Sequence, residues 1–136
     1  MYEKKHIPIS LKIVAILFIL GGIHSVIEVV LDALNSKVNI NFGILGLFIG
    51  FGLLALRPGW RKCALVFIWI ALIAVPILTI FMFMHSGPLD FNIFGQKVGY
   101  ATKEFGLVVA ISIFLLELWQ YHVLNRSDIR MLFGVG

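Results

Sequence analysis

Residues 63–84 read CALVFIWIALIAVPILTIFMFM and contain no charged side chain. A helix of about 20 mostly apolar residues is needed to cross the roughly 30 Å hydrocarbon core of a bilayer. Lipid offers the backbone no hydrogen-bond partner, so a stretch of this kind must be helical. We therefore predict that residues 63–84 form a membrane span.

The rest of the chain has the composition of a membrane protein as well. Of its 136 residues, 60% are hydrophobic and 13% are charged, whereas soluble domains carry about 25% charged residues. The sequence predicts an all-α integral membrane protein, an antiparallel four-helix transmembrane bundle that forms a single domain over residues 1–136. Its other spans are predicted at 9–34, 42–56 and 102–124, with an interfacial tail at 125–136 that Ser127 would cap. The first span is longer than a signal peptide, so we expect it to be retained.

The basic residues indicate the orientation of these spans. Cytoplasmic loops of membrane proteins carry an excess of Lys and Arg, and eight of the 11 basic residues fall on one side of the predicted spans. Both termini are therefore predicted to be cytoplasmic. The eight residues on the inner side are Lys4, Lys5, Lys12, Arg57, Arg61, Lys62, Arg126 and Arg130; the three on the outer side are Lys37, Lys97 and Lys103.

Two kinds of turn are predicted between the spans. The Pro58–Gly59 pair is typical of a type II turn, which would join the second and third spans tightly. In the outer loops, residues 37–42 and 89–94 alternate polar and apolar side chains, a strand signal. We predict either a two-stranded antiparallel cap formed by these two stretches or a pair of irregular loops that dip into the interface.

Small residues are expected where the spans pack closely, because helices in membranes associate through small side chains. Gly46 and Gly50 have GxxxG spacing in the second span. The glycines predicted to lie at helix contacts are Gly21, Gly43, Gly46, Gly50 and Gly106.

Polar residues within the spans are the candidate site. His24 and Glu28 lie four residues apart on one face of the first span, at a depth where an ionisable group is costly and should face the interior or a cavity. They are interpreted as a mutually satisfied pair that fixes packing, as a proton or solute site, or as two metal ligands without a third. Glu117 of the fourth span is the remaining candidate, for which an ion pair with the first span is expected.

The sequence favours a binding role over catalysis. No nucleophile–base pair, metal trio or cofactor motif can be named, the single cysteine excludes an internal disulfide, and the dispersed positive charge does not indicate nucleic acid. We predict a non-enzymatic membrane module that lies in the lipid bilayer and binds or stabilises a membrane partner or forms a homo-oligomer. The alternative is a small proton-linked transporter that acts as an oligomer, with His24 and Glu28 as its coupling site.

Two stretches carry a resemblance. Residues 41–61, NFGILGLFIGFGLLALRPGWR, together with 126–133, RSDIRMLF, resemble small uncharacterised bacterial membrane proteins of four helices. The resemblance implies residence in the bacterial inner membrane and no particular activity.

Overall fold

The computed structural model of the chain describes residues 6–35, 41–84, 89–93 and 96–134. Within these residues the elements follow in the order α1 (Ile9–Leu34), a 3₁₀ turn (Phe42–Ile44), α2 (Leu45–Leu54), α3 (Pro58–Met84), β1 (Leu89–Ile93), β2 (Gln96–Ala101), α4 (Lys103–Asn125) and α5 (Ser127–Leu132).

Three helices of the described chain, α1, α3 and α4, are long and apolar enough to cross a membrane. The stretch predicted at 9–34 is helical over Ile9–Leu34, whereas α3 begins at Pro58 instead of residue 63. The fourth apolar segment, Phe42–Leu54, is shorter. Its regular part, α2, has 10 residues and is therefore about 15 Å long at 1.5 Å per residue.

The connection between α2 and α3 differs from the predicted type II turn. Leu56 has a positive φ of 53°, and its N–H donates to the carbonyl of Leu53 over 3.1 Å. The next N–H, from Arg57, donates to the carbonyl of Gly52 over 3.2 Å, which completes a Schellman motif at the end of α2. Pro58 is then the first residue of α3, a position where its missing N–H costs nothing.

The strand partner in the outer segment also differs from the prediction. The stretch 89–94 does contain a strand, β1, but it pairs antiparallel with β2, with Leu89 opposite Ala101 and Ile93 opposite Gln96. Of the predicted partner 37–42, residues 37–40 lie outside the described residues, and Phe42 begins the 3₁₀ turn. A two-residue connection closes a much shorter loop than one that spans α2 and α3, so the local hairpin forms at lower entropic cost.

Helices α1 and α2 contact each other through their backbones. A Cβ atom added to Gly46 would lie 2.7 Å from the carbonyl oxygen of Phe18, and one added to Gly50 would lie 2.7 Å from that of Ala15. Only glycine permits this approach. Because the contacts move backwards along α1 as they move forwards along α2, the two helices are antiparallel.

The predicted packing glycines fall into different environments. Those whose added Cβ would collide with α1 are Gly43, Gly46 and Gly50. Gly21, in contrast, has nothing within 4 Å of an added Cβ. Its neighbour Gly22 is buried, and a Cβ there would overlap the backbone nitrogen of Leu47. Gly106 is half-buried in the first turns of α4.

The buried apolar core lies at one end of the molecule, where α1 and α3 begin and α2 and α4 end; we call this the α5 end. Helix α5 packs onto it: Ile129 is fully buried and Phe133 is 3% exposed. Arg126, and not the predicted Ser127, holds the position before the helix. The core residues are Leu11, Val14, Ala15, Ile49, Leu53, Ala64, Ile68, Val123, Leu124, Ile129 and Phe133.

Arg61 joins α3 to the end of α4 within this core. Its side chain is only 6% exposed. Nε donates to the carbonyl oxygen of Leu124 over 2.9 Å, and Nη2 donates to Oδ1 of Asn125 over 3.2 Å. A cation at a helix C-terminus satisfies carbonyls that lack a partner within the helix and lies favourably in the helix dipole.

Replacing adjacent glycines of α1 should have opposite effects on stability. We expect Gly22→Ala to destabilise the protein by about 1–3 kcal/mol, because the new methyl group overlaps α2. Gly21→Ala should leave stability unchanged or raise it by up to about 1 kcal/mol, because alanine is the better helix former and its Cβ meets nothing. Thermal unfolding in detergent measures both, and equal effects would contradict this packing.

Replacing Arg61 should weaken the α5 end far more than replacing its exposed neighbour Arg57. Arg61→Met keeps the apolar stem but leaves the buried Leu124 carbonyl without its donor, at a cost of about 1–3 kcal/mol. Arg57→Met removes the same charge from an exposed position and should change stability by less than about 0.5 kcal/mol. A matched loss for both variants, measured by the same unfolding assay, would show that Arg61 acts only through its charge.

Candidate functional site

The predicted pair of α1 is present, but the two side chains are not hydrogen-bonded to each other. His24 Nδ1 and Glu28 Oε2 are 3.8 Å apart, which exceeds hydrogen-bond distance. The His24 side chain is 46% exposed and that of Glu28 is 29% exposed. The pair therefore lies partly at the helix surface, and His24 has the larger exposed fraction.

The hydrogen bond to Glu28 comes from a residue of the stretch 37–42, for which a strand or an irregular loop was predicted. Asn41 Nδ2 donates to Glu28 Oε2 over 3.0 Å. The other end of the same amide, Oδ1, accepts from the backbone N–H of Gly43 over 2.9 Å. Asn41 thus caps the 3₁₀ turn and ties it to α1. An asparagine just before a helical start is a common cap, and that signal could have identified it.

A crevice of about 420 Å³ lies between α1, α2, α3 and α4. His24 and Glu28 are not part of its wall, whereas Glu117 is. The residues that line it are Leu17, Phe18, Gly21, Gly22, Ser25, Gly43, Gly46, Phe67, Ile113, Leu116, Glu117 and Gln120.

Glu117 enters this crevice without a partner from the described chain. It is half-buried, and none of the hydrogen bonds or ion pairs among residues 6–35, 41–84 and 102–134 includes its carboxylate. The ion pair with the first span that the sequence led us to expect does not form. The carboxylate is therefore available to whatever fills the crevice.

Gln120, one turn further along α4, was not singled out from the sequence. Its side chain is 4% exposed, and its amide makes no hydrogen bond within the part of the chain that the structure describes. No enclosed side-chain nitrogen or oxygen there lacks a partner, so the Gln120 amide keeps some exposed surface, and Gln120 is part of the crevice wall. A Gln three residues after a Glu on one helix face is the sequence signal for this site.

Ser25 completes the polar part of the wall from the α1 side. It is 6% exposed, and its hydroxyl donates to the carbonyl of Gly21 over 3.1 Å. Because the hydroxyl hydrogen is used in this bond, the oxygen presents lone pairs only.

A second cavity of about 340 Å³ lies between α3 and α4 beside Pro76. Its one polar side chain, Thr79, donates to the carbonyl of Val75 over 2.7 Å. This cavity thus offers apolar volume and no free polar group.

No group of three or more His, Cys, Asp or Glu side chains that could hold a metal ion occurs in the described residues. Comparisons of the chain with protein-family models, with curated proteins and with solved structures find no match.

The Glu28–Asn41 contact should be energetically stronger than the His24–Glu28 contact. In double-mutant cycles, we expect a coupling of about 1–2 kcal/mol between Glu28→Ala and Asn41→Ala. The cycle of Glu28→Ala with His24→Ala should give less than about 0.5 kcal/mol, because the atoms are too far apart and too exposed. Chemical unfolding in detergent gives these values, and the reverse ranking would restore the pair predicted from the sequence.

Proposed function

We propose that the chain crosses the bacterial inner membrane four times, with both termini in the cytoplasm, and acts as a non-enzymatic module that self-associates within the bilayer. The unequal division of the basic residues supports this orientation. The antiparallel contact of α1 with α2 supports a return of the chain through the membrane in its second segment. Residence in the inner membrane rests on the resemblance of residues 41–61 and 126–133.

The observation that carries the association is the sparse packing of α3. We compared an apolar 18-residue stretch of each long helix. Of this stretch 6% is buried in α3, whereas 22% is buried in α1 and 17% in α4. Large side chains, among them Trp69 and Ile73, project from α3 with more than half their surface exposed. Helices in lipid gain van der Waals contacts when they associate, and of the three long helices α3 has the smallest buried share. A second copy offers the same surface and gives a two-fold symmetric, closed pair.

A proton-linked transporter that acts as an oligomer is the second candidate. The observation in its favour is the Glu117 carboxylate in an open crevice, since carboxylates at membrane depth are used as proton relays. His24 and Glu28, proposed from the sequence as the coupling site, do not line that crevice. A pH-driven flux of solute into proteoliposomes that Glu117→Gln abolishes and Glu28→Gln leaves intact would favour this candidate.

The topology can be tested with introduced cysteines. In a Cys63→Ala background, cysteines at Ser36 and Gln96 should react with an impermeant thiol reagent added to intact cells. The wild-type protein, whose exposed Cys63 lies near the start of α3, is the separate control for the inner side. Its Cys63 should react only after the membrane is opened. Labelling of Cys63 in intact cells, or of position 96 from the inside alone, would contradict the orientation.

Self-association can be tested by cross-linking at two equally exposed positions. Ile73 on α3 and Leu20 on α1 are each 57% exposed. In the Cys63→Ala background, we expect Ile73→Cys to give a disulfide-linked dimer in lipid nanodiscs and Leu20→Cys to stay monomeric, because only α3 faces its copy. Adducts of Ile73→Cys to a different membrane protein, or no adduct at any protein-to-lipid ratio, would overturn self-association through α3.

A further inference from the structure

The crevice between the four helices contains polar groups that the association through α3 does not use. Glu117, Gln120 and Ser25 line it together. The rest of its wall is apolar, with Phe18 and Phe67 on two different helices. A volume of about 420 Å³ lies within the range of roughly 300–1,000 Å³ that small-molecule sites occupy.

We propose that this crevice binds a membrane-dissolved amphiphile that carries a primary ammonium group, with the Glu117 carboxylate as its counter-ion.

The polar groups favour a cation over an anion. The Glu117 carboxylate has no positively charged partner in the described residues, and an ionised group at membrane depth is stabilised by an opposite charge. The oxygen of Ser25 accepts only, because its hydrogen is bonded to Gly21. An anion would find free N–H donors only on the Gln120 amide, and it would face the Glu117 carboxylate one turn away.

The number of acceptors favours a primary ammonium over a methylated one. An –NH₃⁺ group has three donors and no acceptor. Glu117 and Gln120, one turn apart on α4, offer the two carboxylate oxygens and the amide oxygen as acceptors. Gln120 is 96% buried, from an exposed fraction of 4%, and a buried amide that opens into a cavity without a partner gains a hydrogen bond when a ligand enters.

The apolar wall favours an amphiphile over a hydrophilic amine. Leu17, Phe18 and Ile113 would contact the alkyl part of a ligand. A ligand of this kind is concentrated in the bilayer and reaches the crevice from the lipid.

The test uses octylammonium as the probe, titrated calorimetrically into the full chain in phosphatidylcholine nanodiscs, with empty nanodiscs as the blank. We expect saturable binding that is at least about tenfold weaker for Glu117→Gln, because a charge-assisted hydrogen bond is lost. Gln120→Leu should weaken binding several-fold. Glu28→Gln is the matched control, because it changes a carboxylate outside the crevice, and should bind within about twofold of the wild type.

Two further ligands make the result independent of how the variants fold. Octyltrimethylammonium has the charge but no N–H donor, and 1-octanol has the chain but no charge. Each should bind the wild-type protein at least about tenfold more weakly than octylammonium. Equal binding of either ligand, binding unaffected by Glu117→Gln, or no saturable binding above empty nanodiscs would overturn the proposal. None of these outcomes bears on the cross-linking at Ile73, so the two proposals fail separately.

Discussion

Helices α1 and α2 contact each other directly through their backbones at Gly22, Gly46 and Gly50. Burial of this kind needs residues without a Cβ, because an added methyl group would reach the opposite carbonyl oxygens or amide nitrogen. The contact fixes α2 along α1 and directs the chain back towards the end where α1 begins. The same glycines leave the space beside them unfilled, and Gly22 and Gly46 form part of the crevice wall. The absence of side chains at these glycines thus explains both the close contact of α1 with α2 and part of the open volume of the crevice.

The opposite property, dense packing, is confined to the α5 end. There the starts of α1 and α3 meet the ends of α2 and α4, and α5 covers them with Ile129 and Phe133. Arg61 supplies the polar part of this arrangement, since it binds the last turn of α4 from α3. The remainder of α3 is mostly exposed. The buried core is therefore confined to the α5 end, and beyond it α1 and α2 remain in contact while α3 buries little of its surface.

The sequence predicted the helices well because hydropathy is a strong constraint in lipid: every backbone group must be satisfied within the helix. It predicted the details of contacts less well. Gly21 and Gly22 are adjacent, and a helical period of 3.6 residues does not by itself identify which of them faces α2. Arg61 was counted as an inner-side charge, because a basic residue before a span is explained by orientation alone. Its bonds to Leu124 and Asn125 depend on residues more than 60 positions away, which no local pattern reports.

Loops and polar side chains were harder still, because their partners are set by chain geometry. Alternation predicted a strand at 89–94, but it does not state which segment pairs with that strand, and the hairpin with β2 closes the shorter loop. For Glu28, helical spacing suggested His24, whereas the hydrogen bond comes from Asn41, 13 residues away in sequence. Spacing along a helix identifies residues on the same face, and it gives no information about a side chain that arrives from the next segment.

Glu117 and Glu28 illustrate how a membrane protein can retain two carboxylates for different reasons. Glu28 accepts a hydrogen bond from Asn41 and thereby holds the 3₁₀ turn before α2 against α1. This bond offsets part of the cost of placing a carboxylate there. Glu117 makes no such bond within the described chain, yet an ionisable group at membrane depth costs on the order of a few kcal/mol. Glu117 therefore differs from Glu28 in having no partner within the described chain, and the amide of Gln120, one turn further along the same crevice wall, makes no hydrogen bond there either.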